Sequence, residues 1–442
     1  MEHNALLKVG LILLFCSVMA WRVRLVGGSE ASPVDTVAGL RIAQIGIVLF
    51  IGMLKFRSAS FHHLLFGLLP FMLIYSCVGI LSTLFSSAPG YTLYKATETI
   101  IAVIFIASIL GSCDNIDKFI EFMVITIGAF LFMEISIWLG MLVSPQLAFR
   151  AGKSLFGSQL SGVFPVFNAN KVGFISAVLI LAAPFGVIVS KVKEDRIFFM
   201  TITLLTIPVF MLAQARTSLI GTFCACLLFL MLNKKFKYIT VICVLAGILL
   251  TWDSFGNLMA SYLKKGENDL MLETLTGRTT AWNYAWEMFK KSPIFGYGFA
   301  SGARFDVLKN NGAVGLHGSI FDVLVNLGLL GVIPWLVAII GTWIQLLLIF
   351  FRYSKQMTPK VRLFHTFMLS VLVLSTFRAF TGTTLVGHDL EFVIFLLILG
   401  YAQLSAKHRG FTKVNETSPV NSQKNHFDEV EDQRIRMTGI TR

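Results

Sequence analysis

The sequence predicts an all-α polytopic membrane protein of about twelve transmembrane helices, with a large outer loop before the tenth. Three observations carry that expectation. First, 55% of the 442 residues are hydrophobic and only 14% are charged, too little polar surface for a soluble chain. Second, the apolar residues form runs near the roughly 20 residues that cross a bilayer. Third, the Lys and Arg residues behind the net charge of +13 sit in short clusters between those runs. That is the topology signal of a membrane protein, not the stripe of a nucleic-acid binder.

Spans are expected near residues 6–21, 38–54, 62–84, 93–111, 117–143, 169–190, 196–213, 214–232, 237–254, 318–350, 360–378 and 390–405. The first run lacks a cleavage site and precedes further spans, so it reads as a retained helix. The run 318–350 is too long for one straight crossing and is expected to lie partly oblique or to re-enter. The 40 Phe and 16 Met are spread along the whole chain and fit lipid-facing and core surfaces. Cys16, Cys77, Cys113, Cys224, Cys226 and Cys243 lie in or beside apolar runs without metal-ligand spacing, so neither a disulfide nor zinc is expected. There is no internal repeat.

Orientation follows from the basic clusters Lys55/Arg57, Lys191/Lys193/Arg196, Lys234/Lys235/Lys237, Arg352/Lys355/Lys360/Arg362 and Lys407/Arg409. A cytoplasmic N-terminus puts all of them inside. An even span count also brings the tail, residues 406–442, inside, where its mixed charges predict disorder. The "NET" sequon at Asn415 then lies on the wrong side to matter. Residues 1–405 form the transmembrane domain, with outer loops at 144–168 and 255–316. Only the second is large enough for structure of its own.

This topology sorts the polar residues. His3, His62, His63, His365, His408 and His426 fall at the inner side or in the tail, and only His317 and His388 reach the outer boundary. Outward arginines run against the positive-inside rule. They are Arg22, Arg24, Arg150, Arg216, Arg278, Arg304 and Arg378. Arg216 lies in "LAQARTSLIG", a turn short enough only to cap two spans; its other reading is a snorkelling interfacial arginine. In "GRTTAWNYAWEMFKKSPIFGYGF", Trp282, Trp286 and Phe289 recur at helical spacing. This reads as an interfacial amphipathic helix with Thr279 or Thr280 near its N-cap. Arg278 then stands just before a helix N-terminus that favours anions, or pairs with Glu273 in a loop. "GYGFASG" at 296–302 follows no strand and is not a dinucleotide loop. His317 opens "GLHGSIFDVLVNLGLLG" either as a satisfied helix-start histidine or as a functional one. Asp322, Asn326, Asp389 and Glu391 either line an outer cavity or serve packing.

A short "R-T-S" turn, an outer loop containing "GR…W…P…GYG", and a His opening a helix with "G-L-L-G" resemble the family of O-antigen ligases and polysaccharide polymerases (Wzy/WaaL). The resemblance covers about residues 60–405 and is firmest from Arg216 to Gly331. "GVFPVFNANKVGFISAV" (162–178) resembles the family's Gly-Phe…Asn segment. The family often has Asn after the histidine, where this chain has Gly318.

The resemblance implies metal-independent glycosyl transfer, without a cofactor, at the periplasmic face of a bacterial inner membrane. The implied donor is a glycan on undecaprenyl diphosphate; the implied acceptor is a hydroxyl of another glycan, of lipid A core or of a protein. The residues suit this chemistry. A leaving diphosphate gains charge that guanidinium groups can meet bidentately, and Arg216 and Arg278 are the obvious pair, with Arg150 and Arg378 behind them. A neutral imidazole, His317, is a suitable general base for the acceptor, and attack opposite the leaving group would invert the anomeric centre. Loop 255–316 would roof the cavity, with Trp282 or Tyr297 stacking on sugars and Asp322 lining the acceptor side. "GRTTAW…GYGF" together with "STFRAFTGTTLVGHDLEF" (375–392) resembles O-antigen or exopolysaccharide repeat-unit polymerases, with a chain-length regulator as an expected partner, more than a lipid A-core ligase or protein O-oligosaccharyltransferase. A lipid-linked glycan transporter or flippase is the alternative of another class, but it calls for midplane charges. Lys95, Glu98 and Glu134 are the main ones here, the two glutamates equally readable as structural partners for an arginine. A purely structural anchor would not need so large an outer loop.

Overall fold

A computed structural model of the chain describes residues 4–23, 36–151, 158–190, 192–235, 240, 261–262, 278–307 and 316–407. Among the described residues the regular secondary structure is helical apart from one two-stranded hairpin and two isolated bridges. Lipid demands this, because a helix satisfies every backbone N–H and C=O within its own segment. In chain order the helices are α1 (Ala5–Ser17), α2 (Thr36–Leu54), α3 (Ser58–Leu65), α4 (Leu69–Leu81, extended by a 3₁₀ turn Ser82–Phe85), α5 (Pro89–Ser112) and α6 (Ile116–Val143). A short α7 (Pro145–Ala148) leads into the hairpin β1 (Phe149–Ala151) and β2 (Ser158–Leu160). Then come α8 (Ala169–Val189), α9 (Lys193–Ala213), α10 (Arg216–Leu232), α11 (Arg278–Lys291), α12 (Ser319–Tyr353), α13 (Pro359–Thr381) and α14 (Leu390–Lys407).

Seven described helices are long and apolar enough to cross a membrane, or eight if α2 and α3, bent by 112° to each other, form one broken span. α1, α4 with its 3₁₀ turn, and α10 are apolar but shorter. The span expected at 237–254 and most of the tail lie outside the described residues, as do large parts of loop 255–316. The span expected at 62–84 is not one helix. Gly67, at φ +99°, turns the chain between α3 and α4, and the Gln403 side chain caps both ends. Its Nε2 donates to the carbonyls of His63 and Phe66 at 2.8 and 2.7 Å, while its Oε1 accepts the N–H groups of Leu68 and Leu69 at 3.0 Å. The centre of the bundle is α14, with 89% of its apolar window buried, against 22% for the peripheral α9.

The length of 318–350 is resolved by a break. Gly328 has φ +57° and ψ −153°, so α12 is a short segment Ser319–Leu327 followed by a longer one. The loop Pro293–Gly298 fills the break. The N–H groups of Leu329 and Leu330 bond the carbonyls of Pro293 and Ile294, and those of Tyr297 and Gly298 bond the carbonyls of Val325 and Asn326. Backbone freed by the break is thus satisfied by protein. Both glycines are required. A Cβ on Gly328 would meet Ile294 O at 2.5 Å, and one on Gly296, itself at φ +69°, would meet Asn326 C at 2.5 Å. "GYG" and "GLLG" are two halves of one interlock.

The bundle has two ends of different chemistry. One gathers Lys55, Arg57, Lys193, Arg196, Lys234, Lys235, Arg352, Lys355, Lys360 and Arg362 at the helix joints. There Lys360 pairs with Asp117 at 2.6 Å and Arg362 Nη2 donates to Leu232 O at 3.0 Å, joining α13 to α6 and α10. The other end carries the hairpin, α11 and His317.

Candidate active site

His317 sits in the turn that opens α12, with φ +50°, a left-handed conformation uncommon outside glycine and costing on the order of 1 kcal/mol. Both neighbours are anchored. Leu316 O accepts the indole N–H of Trp282 at 2.7 Å. Ser319 Oγ lies 2.9 Å from Gly382 O, contacts Thr384 O, and accepts the Thr384 N–H at 3.0 Å. Gly318 is accounted for locally: a Cβ there would come within 3.1 Å of Trp282 Nε1 and 3.3 Å of Phe321, whose rings stack at 5.2 Å. Burial first, and the Arg278 charge second, lower the His317 pKa from its usual 6.5. The imidazole is therefore neutral at pH 7 and able to accept a proton.

Arg216 is the first residue of α10. The turn before it is fixed by Gln214, left-handed at φ +48°, whose Nε2 donates to Ser158 O at 2.9 Å. The turn after it is fixed by Thr217, whose hydroxyl bonds that of Thr381 at 2.7 Å. The Thr381–Thr384 segment is therefore a shared tie. It holds the first turn of α10 through Thr381 and the first turn of α12 through Gly382 and Thr384, so the turns that carry Arg216 and precede α12 at His317 are tied to the same segment. Arg278 is the first described residue of α11, in which Thr279 and Thr280 are already helical, and its charge reaches the His317 ring. Ala281 and Ala285 seat α11 against Leu316, Val325 and Ala303; the expected stripe residue Trp286 is instead 46% exposed. The alternative partner Glu273 lies outside the described residues.

The other expected site residues are at the same end in different states. Arg150 pairs across the hairpin with Gln159, and the hairpin reaches the Arg216 turn through Ser158. Arg378 is buried, and its guanidinium is committed: Nε and Nη2 to Glu391 Oε1 at 3.2 and 2.5 Å, and Nη1 to Asn170 O and Ser218 Oγ at 2.9 Å each. In this arrangement it clamps α13 to α8, α10 and α14. Trp282 has one face on Phe321 and its N–H on Leu316. Tyr297 donates its hydroxyl to Met288 O at 3.1 Å. Asp322 Oδ1 accepts Asn326 Nδ2 at 3.0 Å, and Asn326 Oδ1 accepts the Ala303 N–H at 2.8 Å. His388 bonds Ser17 at 2.8 Å. Glu98 is paired with Lys95 at 2.7 Å and Glu134 accepts the Ser176 hydroxyl at 3.0 Å.

Sequence reasoning missed Thr217, Ser319, Thr381 and Gln214, which set the geometry while carrying no charge. The one signal available was the clustering of small hydroxyl residues beside the arginines, in "RTS" and "TGTT". Among the described residues no group of three His, Cys, Asp or Glu is arranged to hold a metal ion.

No curated protein matches the chain. The model of the O-antigen ligase family matches residues 199–336, a stretch that runs from α9 through Arg216, Arg278 and His317 to the first turns of α12 beyond Gly328. Over that stretch the chain, an all-α polytopic membrane protein, is similar to the O-antigen ligase family.

Proposed function

We propose that the protein transfers a glycan from a lipid diphosphate, undecaprenyl diphosphate in a bacterial inner membrane, to an acceptor hydroxyl at the periplasmic face. The observations that support this reading are the ties from one segment, Thr381–Thr384, to the residues beside Arg216 and His317, and the Arg278 charge felt at the His317 ring. His317 removes the acceptor proton as its oxygen attacks the anomeric carbon. The sugar–phosphate bond breaks, and the diphosphate leaves with the bonding pair against Arg216 and Arg278. Each guanidinium contact that strengthens as this charge develops contributes about 2–4 kcal/mol to lowering the barrier. The depressed His317 pKa supports the base role, since only the neutral ring accepts a proton. Attack from the face opposite the diphosphate inverts the anomeric centre.

The basic clusters at the opposite end support a cytoplasmic placement of that end, a topology of about twelve crossings with both termini inside, and a site facing the periplasm. Among acceptors we favour the growing glycan, which makes the protein a repeat-unit polymerase; a ligase acting on lipid A core uses the same geometry with a different acceptor. Purified protein in vesicles with lipid-diphosphate-linked glycan tests the reading. Transfer by wild type and none by His317→Ala of equal yield supports it, and equal transfer by both overturns it. The glycans of a deletion strain separate the acceptors: single repeats on lipid A core indicate a polymerase, and long chains held on the lipid carrier indicate a ligase.

A further inference from the structure

At the basic end, far along the same helices, a concavity opens between α8, α10 and the α12–α13 turn, with a volume of about 830 Å³. Its walls are apolar, built from Leu181 and Pro184 of α8, Phe229 and Leu230 of α10, and Leu363 of α13. Its mouth is cationic, carrying Lys235, Lys355 and Arg362, and no carboxylate is among the described residues that line it. Pro359 also lines it, so the first turn of the 23-residue α13 faces the mouth with the positive end of its dipole. Arg362 spends Nη2 on Leu232 O, and its Nε is buried without a hydrogen-bond partner among the described residues.

An apolar slot under a cationic collar calls for a ligand with both chemistries. A soluble phosphate has no use for the walls, and a neutral lipid has no use for the collar. We propose that this cavity binds an anionic phospholipid of the adjacent leaflet, with its phosphate at Lys235, Lys355 and Arg362 and an acyl chain along α8 and α10. The site is independent of the transfer reaction, but it seats on the two helices that carry the catalytic corner. α10 runs from Arg216 to this mouth, and α13 runs from this mouth to Thr381.

Native mass spectrometry of the full chain in detergent, titrated with phosphatidylglycerol, phosphatidylcholine or inorganic phosphate, tests the proposal. Retention of phosphatidylglycerol over phosphatidylcholine is expected, with phosphate failing to displace it. Lys235→Gln with Lys355→Gln, both exposed, should weaken retention about thirtyfold, from roughly a fivefold contribution of each charge, while leaving the protein monodisperse. Cys226, which lines the cavity, gives a second reading: phosphatidylglycerol should slow its maleimide labelling and phosphatidylcholine should not. Equal retention of the two lipids, unchanged retention in the double variant, displacement by phosphate alone, or labelling of Cys226 indifferent to the lipid would each overturn it.

Discussion

The two ends of the bundle hold their cations in opposite ways. At the basic end Lys235, Lys355 and Lys360 are exposed, and the ion pair of Lys360 with Asp117 is a surface pair of small energy. At the His317 end Arg216 stands in the first turn of a helix and Arg378 is buried, and side-chain hydroxyls and backbone carbonyls fix the turns around them. Arg378 alone makes four hydrogen bonds to three groups. On the proposed reading, charge at the basic end sets which way the chain sits in the bilayer, and charge at the other end serves the transfer chemistry.

The comparison breaks or sharpens by substitution at each end. The largest effect is expected for His317→Ala, a fall in transfer of roughly 10²–10⁴-fold at unchanged yield and stability, measured in vesicles. Arg216→Lys keeps the charge and loses the fork, so transfer should fall about a hundredfold, close to 3 kcal/mol; a loss under threefold would mean that Arg216 only anchors α10 at the interface. Gly328→Ala sets a Cβ against Ile294 O at 2.5 Å on a left-handed residue. It should lower stability by about 1–3 kcal/mol, visible as a reduced unfolding midpoint.

A smaller, signed effect concerns pH. The reaction needs His317 neutral, and burial together with Arg278 lowers its pKa below 6.5, so the acid limb of kcat/KM should lie below pH 6.5. In Arg278→Gln a lowering charge is gone while burial stays. The limb should move to higher pH on whatever activity is left, and a limb that stays in place would separate the two residues. The smallest effect is expected at the basic end, where Lys355→Gln should leave transfer within about twofold under saturating donor.

Much of this architecture was legible in the sequence, and the reasons are physical. Hydropathy reports the crossings because lipid enforces the helix, and a lone imidazole at the mouth of an apolar helix draws notice in one dimension. Arg216 and Arg378 show the limit. Both are single arginines at helix ends, and nothing local separates them. Only the fold reveals that Arg378 is spent on Glu391, Asn170 and Ser218. The length of 318–350 announced an irregularity in α12 but not its place. Gly328 breaks the helix because Pro293–Gly298 lies against it, a pairing between segments some thirty residues apart. The division of 62–84 depends on Gln403, farther away still. Hydroxyl ties such as Thr217 to Thr381 leave no trace in composition or period.

The most direct test of the central claim is an experimental structure of the full chain bound to a lipid-diphosphate-linked glycan. The account predicts the diphosphate within hydrogen-bond reach of Arg216 and Arg278, and His317 across the anomeric carbon from it. A diphosphate held at the Lys235–Arg362 end, or a His317 turned away from the sugar, would contradict it.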